Sequence, residues 1–328
     1  MKALVCRAYG LPHTLELAEI NQPHIAADEV LVKVAYCGVN FPDTLIIQNK
    51  YQFKPTLPFS PGGEVAGTVV AVGANIKQIK PGDVVLCLCS WGGFAEYITV
   101  KEAKVFVLPQ NINLKAAATT FYNYATAYHA LKDRAQLKAD EKLLVLGAAG
   151  GVGLAAVELG KLMGATVIAA ASADNKLTQC KNKGADFLIN YATRDLKESV
   201  KEIAQDGVDV IYDPIGGTLA ETALRTINWG GRYLVVGFAS GSIPNFAANV
   251  PLLKGASIVG VFWSGFAEKE PTQNAANMQQ LIQWHSEGKI KQQIYKTYSL
   301  QEAPQALQDL MDRKVIGKAV VQIAEIFM

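Results

Sequence analysis

Two different patterns of apolar and polar residues divide the sequence. In the first third, apolar and polar residues alternate over short segments such as 29–34, and Gly, Pro and Asn recur between these segments, as at Pro81 and Gly82. Alternation with a period of two, bounded by turn residues, predicts short β-strands. We therefore expect the first third to fold as a small, twisted β-barrel with tight turns.

From about residue 137 onward, short and continuously apolar segments alternate with segments of helical periodicity. Between Val152 and Met163, apolar residues recur every three or four positions, which is typical of an amphipathic helix. The predicted strands span 142–146, 166–171, 187–189, 209–212, 232–236 and 257–263, and the predicted helices span 152–163, 174–183, 196–204 and 219–227. Six strands separated by helices predict a doubly wound parallel sheet of the α/β class.

The last part of the chain has a different pattern again. After about residue 266, two further helical patterns precede a final apolar segment at 318–323, and we expect this tail to return to the first domain. A chain of 328 residues is long enough for two domains. The predicted domains are 1–123 together with 266–328, and 124–265.

Composition and charge exclude several classes of protein. A net charge of +2 gives no sign of nucleic-acid binding, and no run of about eighteen apolar residues predicts a membrane span. Arg7 interrupts the apolar N-terminus, which therefore does not resemble a secretory signal. The five cysteines form no C-x-x-C pair, and their odd number argues against a disulfide framework. We expect a cytoplasmic protein without a metal site.

A glycine-rich loop separates the first strand and the first helix of the predicted sheet. Its glycines would permit a tight turn and a close approach of the backbone to a diphosphate, while the helix N-terminus offers free N–H groups. A plain tight turn is the alternative, but the position at the first strand–helix turn favours a dinucleotide site. The predicted binding residues of this loop are Gly147, Ala149, Gly150, Gly151, Val152 and Gly153.

The end of the next predicted strand indicates which dinucleotide binds. NAD-binding folds usually carry Asp or Glu there, which bonds the ribose 2′-hydroxyl. This chain has Ser172 instead, which can donate a hydrogen bond to a 2′-phosphate, and Lys176 follows with a positive charge. We therefore favour NADPH. The alternative for Lys176 is a solvated lysine on a helix face.

Short motifs recur along nearly the whole chain, at 38–43, 61–67, 80–83, 93–97, 123–128, 146–153, 213–217, 230–232 and 317–318. In their order and spacing they resemble the zinc-independent NADPH:quinone oxidoreductases of the medium-chain dehydrogenase/reductase superfamily. The resemblance implies a doubly wound six-stranded parallel Rossmann sheet plus a GroES-like, mostly β catalytic domain. It also implies a homodimer joined along the sixth strand, at 258–262.

The resemblance further implies that the chain holds no catalytic zinc. Where the superfamily's zinc alcohol dehydrogenases have a Cys and a His as ligands, this chain has Asn40 and Gly63, and the third ligand region corresponds to about Tyr122. A catalytic zinc site needs three protein ligands. Without this Lewis acid, alcohol oxidation is not expected. A quinone, or an alkene conjugated to a carbonyl, is an electron acceptor that needs less activation.

Three residues belong to the segment that lines the cleft in similar enzymes. By resemblance, Asn40 makes an orienting hydrogen bond, Tyr51 donates a hydrogen bond to the acceptor oxygen, and Asp43 accompanies them. Each residue has a structural alternative. Asn40 could cap a turn, Asp43 could cap a helix that begins at Thr44, and Tyr51 could serve in packing.

Further cofactor contacts follow only from the resemblance. Thr126 is expected near the nicotinamide, and Tyr191 is expected to join Ser172 and Lys176 around the 2′-phosphate. Lys318 is expected to reach back across the cleft from the tail. The remaining expected contacts lie at the ends of later strands, at Gly216, Gly237, Phe238 and Phe262.

Two other functions remain open from the sequence. A reductase of enoyl thioesters such as acyl-CoA would need a basic channel for phosphates, and the loops of the first domain offer only Lys50 and Lys54. A protein that binds or senses NADPH with little turnover would carry the same binding residues as the enzyme. Measurable turnover with a simple enone or quinone would distinguish the reductase from this NADPH-binding protein.

Overall fold

The computed structural model describes residues 1–110 and 112–324. The chain divides into two compact units. The first unit comprises Met1–Tyr122 and Lys291–Met328, and the second comprises Asn123–Ile290. Of the helices described, none is both long and apolar enough to cross a membrane.

The strands and helices follow one another in a regular order along the chain. The strands are β1 (Lys2–Val5), β2 (Glu16–Glu19), β3 (Glu29–Gly38), β4 (Glu64–Val72), β5 (Val84–Leu88), β6 (Tyr97–Lys101), β7 (Val105–Val107), β8 (Lys142–Leu146), β9 (Thr166–Ala171), β10 (Phe187–Asn190), β11 (Val208–Asp213), β12 (Ile227–Val235), β13 (Ser257–Gly260), β14 (Ile294–Ser299) and β15 (Lys318–Gln322). The helices are α1 (Phe41–Ile46), α2 (Leu114–Tyr128), α3 (Gly151–Leu162), α4 (Asp174–Asn182), α5 (Leu196–Ile203), α6 (Gly217–Leu224), α7 (Asn249–Lys254), α8 (Trp263–Lys269), α9 (Pro271–Ser286) and α10 (Ala303–Met311).

The first unit is mostly β, as the sequence predicts. Its main sheet has the strand order β14-β15-β3-β4-β5-β7, and β6 also pairs with β3. The long strand β3 shows why this segment is a strand: Val30, Val32 and Val34 are completely buried, whereas Lys33 between them is exposed. Alternate residues of a strand face opposite sides of the sheet, so the valines enter the core together.

The second unit confirms the doubly wound sheet. Its six strands are parallel and have the order β10-β9-β8-β11-β12-β13. The strand order changes direction between β8 and β11. In open α/β sheets, ligands bind beyond the carboxyl ends of the strands at such a switch point. The fold therefore places the loop after β8 in the position expected of a ligand-binding loop.

Two features of the strands differ from the sequence prediction. The sixth strand was predicted to span 257–263, but β13 ends at Gly260 because its partner β12 ends at Val235, which lies opposite Gly260. Phe262 therefore precedes α8 instead of lying within a strand. Strand β14 was not predicted, because most of its side chains are exposed or half-buried at the edge of the sheet and their polarity does not alternate clearly.

The division between the units lies later in the chain than the predicted boundary at residue 265. Helix α9 belongs to the second unit. Polar side chains hold it there: Asn277 Nδ2 donates to Asp133 Oδ2 at 2.8 Å, and Lys132 Nζ donates to Asn277 Oδ1 at 2.6 Å. These partners are far apart in sequence, so the helical pattern alone could not assign α9 to a unit.

Candidate functional site

The glycine loop after β8 has the geometry of a diphosphate cradle. Gly147 has a φ of 55°, in the left-handed region that glycine adopts without strain. A Cβ atom on Gly153 would lie 2.4 Å from the carbonyl oxygen of Gly147, so the helix packs too closely on the loop for a side chain at this position. The predicted loop residues are therefore brought together in one compact turn that leads into α3.

The loop fits an anionic ligand at its outer surface. A Cβ atom on Gly150 would meet only the carbonyl oxygen of Gly147, at 3.4 Å, so space remains beside it. Helix α3 begins at Gly151, with Gly150 as its N-cap residue. The first N–H groups of a helix have no intrahelical acceptor and lie at the positive end of the helix dipole. Diphosphate oxygens are suitable acceptors for these donors.

Three predicted ligands of a 2′-phosphate meet at the ends of β9 and β10. Lys176 Nζ donates to Ser172 Oγ at 3.4 Å, which places the ammonium and the hydroxyl side by side. The backbone N–H of Tyr191 donates to the carbonyl oxygen of Ala171 at 3.1 Å. The carboxylate of Asp174, the first acid after Ser172 in the sequence, accepts a hydrogen bond from Asn190 Nδ2 at 2.7 Å.

The predicted residues after β11 and β12 also lie close together. Gly216 has a φ of 70°, and a Cβ atom there would lie 2.9 Å from Cδ1 of Phe238. The buried carboxylate of Asp213 accepts the N–H groups of Ile215 and Gly216, at 2.7 and 3.0 Å. Burial raises the pKa of Asp213, and these hydrogen bonds oppose that rise. Asp213 therefore shapes the loop in which Gly216 lies.

The remaining predicted cofactor contacts of the second unit lie on separate elements. Gly237 follows β12 directly before Phe238, and its N–H donates to the carbonyl oxygen of Asp213 at 3.3 Å. Thr126 lies in α2, in the part of that helix that belongs to the second unit. Phe262, the residue before α8, is 49% exposed. Phe262 can therefore offer its side chain to a ligand, whereas Gly237 can offer only its backbone.

Asn40 and Asp43 lie at the start of α1 in the first unit. The N–H of Asn40 donates to Asp43 Oδ2 at 2.7 Å, and the N–H of Gly62 donates to Asp43 Oδ1 at 3.2 Å. Helix α1 begins at Phe41, so the alternative in which Asp43 caps a helix beginning at Thr44 is wrong. Asp43 is instead the third residue of the helix and binds back to the N-cap residue Asn40, as in a capping box.

The side chain of Asn40 belongs to a buried network with Lys318 and Glu64. Lys318 Nζ forms an ion pair with Glu64 Oε2 at 2.8 Å and donates a hydrogen bond to Asn40 Oδ1. Asn40 Nδ2 donates to Glu64 Oε2 at 3.2 Å, and the backbone N–H of Tyr122 donates to Glu64 Oε1 at 2.8 Å. The three polar side chains are almost completely buried. They fix the orientation of the Asn40 amide.

Gly38 provides the space for this network. A Cβ atom on Gly38 would lie 2.1 Å from the carbonyl oxygen of Ala118 and 2.7 Å from Glu64 Oε2. A side chain at position 38 would therefore displace both the backbone of α2 and the ion pair. Sequence reasoning missed Glu64 as a site residue. Its signals in the sequence were its place in the motif 61–67 and a carboxylate at the start of the apolar segment that forms β4.

Lys318 was predicted to contact the cofactor from the tail of the chain. The structure gives its ammonium group partners within the first unit instead, and the ammonium also lies 5.7 Å from the centre of the Tyr122 ring. Lys318 is therefore positioned to hold Asn40 and to neutralise Glu64. A contact between Lys318 and the cofactor stays a prediction.

Burial controls the protonation of Asp43 and Tyr51. Burial raises the pKa of Asp43 to about 7, and the hydrogen bond from Asn40, the charge of Lys318 and the hydrogen bond from Gly62 oppose this rise. Burial also raises the pKa of Tyr51, which is hydrogen-bonded to the side chain of Tyr122. Tyrosine is ordinarily protonated at neutral pH and burial favours this form further, so the Tyr51 hydroxyl can donate a hydrogen bond.

The raised pKa of Asp43 makes the stability of the first unit depend on pH. Its pKa of about 7 in the folded protein lies above the ordinary 3.8, so the folded state retains a proton that the unfolded state releases. The free energy of unfolding contributed by Asp43 therefore falls as the pH rises between these values, by up to about 1.4 kcal/mol per unit. Asp43→Asn removes this dependence.

Urea titrations from about pH 5 to about pH 8 test this prediction. We expect the free energy of unfolding of the unchanged protein, minus that of Asp43→Asn, to decrease with rising pH. The control is Asp186→Asn. Partial burial raises the pKa of Asp186, but hydrogen bonds from Lys161 and from the N–H of Val167 outweigh it and hold that pKa below its ordinary value. The control difference should be flat in this range, and a flat difference for Asp43 would contradict the prediction.

Within residues 1–110 and 112–324, no group of three or more His, Cys, Asp or Glu side chains is arranged to hold a metal ion. Asn40 and Gly63 are the residues that the family resemblance places where alcohol dehydrogenases have two zinc ligands. Asn40 is engaged by Lys318 and Glu64 instead.

Comparison with protein-family models defines the class of protein. Residues 26–110 match the model described as the alcohol dehydrogenase GroES-like domain. Residues 151–284 match the model described as zinc-binding dehydrogenase. The GroES-like unit and the six-stranded parallel sheet with its glycine loop define an oxidoreductase of the medium-chain dehydrogenase/reductase type.

Comparison with individual proteins narrows the class. The chain is 35% identical to a quinone oxidoreductase-like protein 2 homolog of Nematostella vectensis, over 98% of this chain and 88% of that protein. It is 32% identical to the quinone oxidoreductase of Mus musculus, over 95% and 94% of the two chains. A crystal structure of Escherichia coli quinone oxidoreductase complexed with NADPH has a TM-score of 0.93, 28% identity and coverage of 98% and 100%. The chain belongs to the zinc-independent quinone oxidoreductase family of medium-chain dehydrogenases/reductases.

Proposed function

We propose that the protein is a zinc-independent, NADPH-dependent reductase that transfers a hydride to a quinone or to an α,β-unsaturated carbonyl compound. The observation that carries this proposal is the Asn40 side chain, held by Lys318 and Glu64 where zinc-dependent relatives have a thiolate ligand. An amide engaged by a buried ammonium is not a ligand for zinc. The acceptor must therefore be one that accepts a hydride without a Lewis acid.

The second unit carries the residues for the cofactor. The glycine loop and the N-terminus of α3 bind the diphosphate, and Ser172 with Lys176 binds the 2′-phosphate. The structural relative from Escherichia coli was crystallised with NADPH. When it is bound, the nicotinamide supplies the hydride.

The first unit carries the residues for the acceptor. Reduction adds a hydride to carbon and places negative charge on the conjugated oxygen, which a proton then neutralises. The Tyr51 hydroxyl, which is protonated at neutral pH, donates a hydrogen bond to this oxygen. Asn40 orients the acceptor, and Lys318 and Glu64 restrict the Asn40 amide to one orientation.

A panel of acceptors tests the proposed function. Metal-free protein is mixed with NADPH or NADH and a naphthoquinone, an enone, an enoyl-CoA or an aldehyde, and cofactor oxidation is followed by absorbance. Turnover of the quinone or enone with NADPH, unaffected by a chelator, supports the proposal. Preferential turnover of the enoyl-CoA supports a thioester reductase instead. Tight NADPH binding without turnover of any acceptor supports a sensing protein, and activity lost to a chelator contradicts the zinc-independent mechanism.

The Ser172→Asp variant tests the choice of cofactor. A carboxylate at the end of β9 would repel a 2′-phosphate and could accept a hydrogen bond from a ribose 2′-hydroxyl. We expect the Kd for NADPH to rise about a hundredfold and the Kd for NADH to fall. Isothermal titration measures both constants. The control is Lys181→Met, an exposed lysine on the same helix as Lys176, and equal changes for both cofactors in Ser172→Asp would contradict the assignment.

We also propose that two copies associate along β13. This strand is at the edge of the sheet, and Ile258 on it is 39% exposed. An apolar edge strand presents backbone groups that can pair with another strand. Light scattering that gives the mass of a monomer at micromolar concentration would contradict this assembly.

A further inference from the structure

Asn123 has a buried amide group without a hydrogen-bond partner. The residue lies in α2 at the start of the second unit and is only 4% exposed. Its Nδ2 atom is almost inaccessible to solvent and has no hydrogen-bond partner among the residues that the structure describes. A buried donor that is left unsatisfied costs free energy, and few such groups persist in native proteins without a reason.

The Asn123 amide lies against the first residue of α3. A Cβ atom on Gly151 would be 2.4 Å from Asn123 Nδ2 and 3.1 Å from its Cγ. Gly151 is not among the residues with a positive φ, so its backbone conformation does not require glycine. Glycine is required at position 151 because a side chain there would occupy the space of the Asn123 amide.

The Asn123 amide adds a hydrogen-bond donor to those already present at the start of α3. Helix α3 has 12 residues, and its N-cap residue, Gly150, has no side chain that could accept an N–H. An Asn that caps a helix does so with its oxygen, which accepts N–H groups. Asn123 instead places its amide nitrogen against Gly151, the first residue of α3, and the first N–H groups of a helix are donors themselves. These donors together need an external acceptor, and an anionic oxygen satisfies them best.

We propose that Asn123 donates a hydrogen bond from Nδ2 to the diphosphate of the nicotinamide cofactor, at the phosphate on the nicotinamide side. This inference rests on the proposed function, because it needs the cofactor to bind at the glycine loop. The nicotinamide side is selected because Thr126, which is predicted to lie near the nicotinamide, follows Asn123 by three residues in α2. Residues three apart share one face of a helix. Asn123 is thus a cofactor-positioning residue that the glycine motif does not include.

Binding of two nucleotides by Asn123→Ala tests the proposal. One ligand is NADPH, and the other is 2′,5′-ADP, which lacks the phosphate on the nicotinamide side. We expect the Kd for NADPH to rise about tenfold, as for the loss of one hydrogen bond to a charged group, and the Kd for 2′,5′-ADP to stay unchanged. The melting temperature of the ligand-free variant should be equal or higher, because the unsatisfied donor is gone.

A second variant covers the case in which Asn123→Ala does not fold. Asn123→Asp has nearly the same shape but places a carboxylate beside the diphosphate. It should raise the Kd for NADPH about a hundredfold at neutral pH while 2′,5′-ADP is affected less. The matched control is Asn182→Ala, an exposed asparagine of the same unit, which should bind both ligands as the unchanged protein does.

The outcomes separate this proposal from the proposed function. If the unchanged protein does not bind NADPH, both are overturned. If it binds NADPH and the Asn123 variants bind it equally well, only the role of Asn123 is overturned. A lower melting temperature of the ligand-free variant with an unchanged Kd would show that Asn123 is structural, and this also overturns the proposal.

Discussion

Replacing Lys318 by methionine is expected to lower the free energy of unfolding by about 3–5 kcal/mol, because it leaves a buried carboxylate without its counter-ion. Lys318 is 3% exposed and Glu64 is completely buried, so water cannot replace the lost ammonium. Asn40 Oδ1 loses its donor in the same substitution. Methionine has a similar length and keeps most of the packing, so the loss measures the charge and the hydrogen bonds.

Urea unfolding of single and double variants tests this prediction. Glu64→Gln removes the charge but keeps an oxygen that can accept the N–H of Tyr122. We expect Lys318→Met combined with Glu64→Gln to be more stable than the sum of the single changes predicts, by at least about 1 kcal/mol. The control is Lys314→Met, a lysine with an exposed side chain whose loss should cost less than about 1 kcal/mol. Additive changes would contradict the coupled network.

Replacing Tyr51 by phenylalanine is expected to lower kcat about a hundredfold with quinone or enone acceptors. The variant removes only the hydroxyl that donates to the acceptor oxygen, and the loss of one such donor typically has this effect. The aromatic ring stays, so its edge-to-face contact with Phe53, at 5.9 Å between ring centres, can persist. We expect the Kd for NADPH to be unchanged, because Tyr51 belongs to the first unit.

Steady-state kinetics and NADPH titration check the role of Tyr51 together. The control is Tyr295→Phe, because Tyr295 is 41% exposed on strand β14 and should contribute nothing to kcat. If Tyr51 serves only in packing, Tyr51→Phe should keep its kcat, since phenylalanine packs like tyrosine. A variant that keeps its kcat while its KM rises would show that the hydroxyl binds the acceptor equally in the ground state and the transition state.

Most of the second unit could be predicted from the sequence, because local signals determine it. A buried parallel strand reads as a short apolar run, and the helices between the strands repeat every three or four residues. The glycine loop connects strand β8 to helix α3. Gly147 provides the left-handed conformation of this tight turn, and Gly153 allows the helix to pack closely on the loop. The end of β13 could not be predicted, because it depends on where its partner β12 ends.

The buried network of the first unit could not be predicted in its details. Lys318 and Asn40 are 278 positions apart, and their contact arises only because β15 pairs with β3. The family resemblance predicted both residues as site residues, with Asn40 at the acceptor and Lys318 at the cofactor, but it did not predict their contact with each other. Glu64 and Asn123 lie in the motifs 61–67 and 123–128 but were missed as site residues, because a carboxylate at the start of a strand and an amide within a helix are common in sequence. Their burial and their neighbours distinguish them.

The fate of deuterium placed at both hydrogen positions on C4 of the dihydronicotinamide ring of NADPH tests the central claim most directly. The protein is mixed with this cofactor and a simple enone, and the product is analysed by mass spectrometry and NMR. We predict one deuterium on the β-carbon of the saturated product, a second hydrogen from the solvent, and no effect of a chelator. A saturated product without deuterium would contradict a hydride-transferring reductase. Oxidation of the cofactor while the enone is not consumed would contradict it as well.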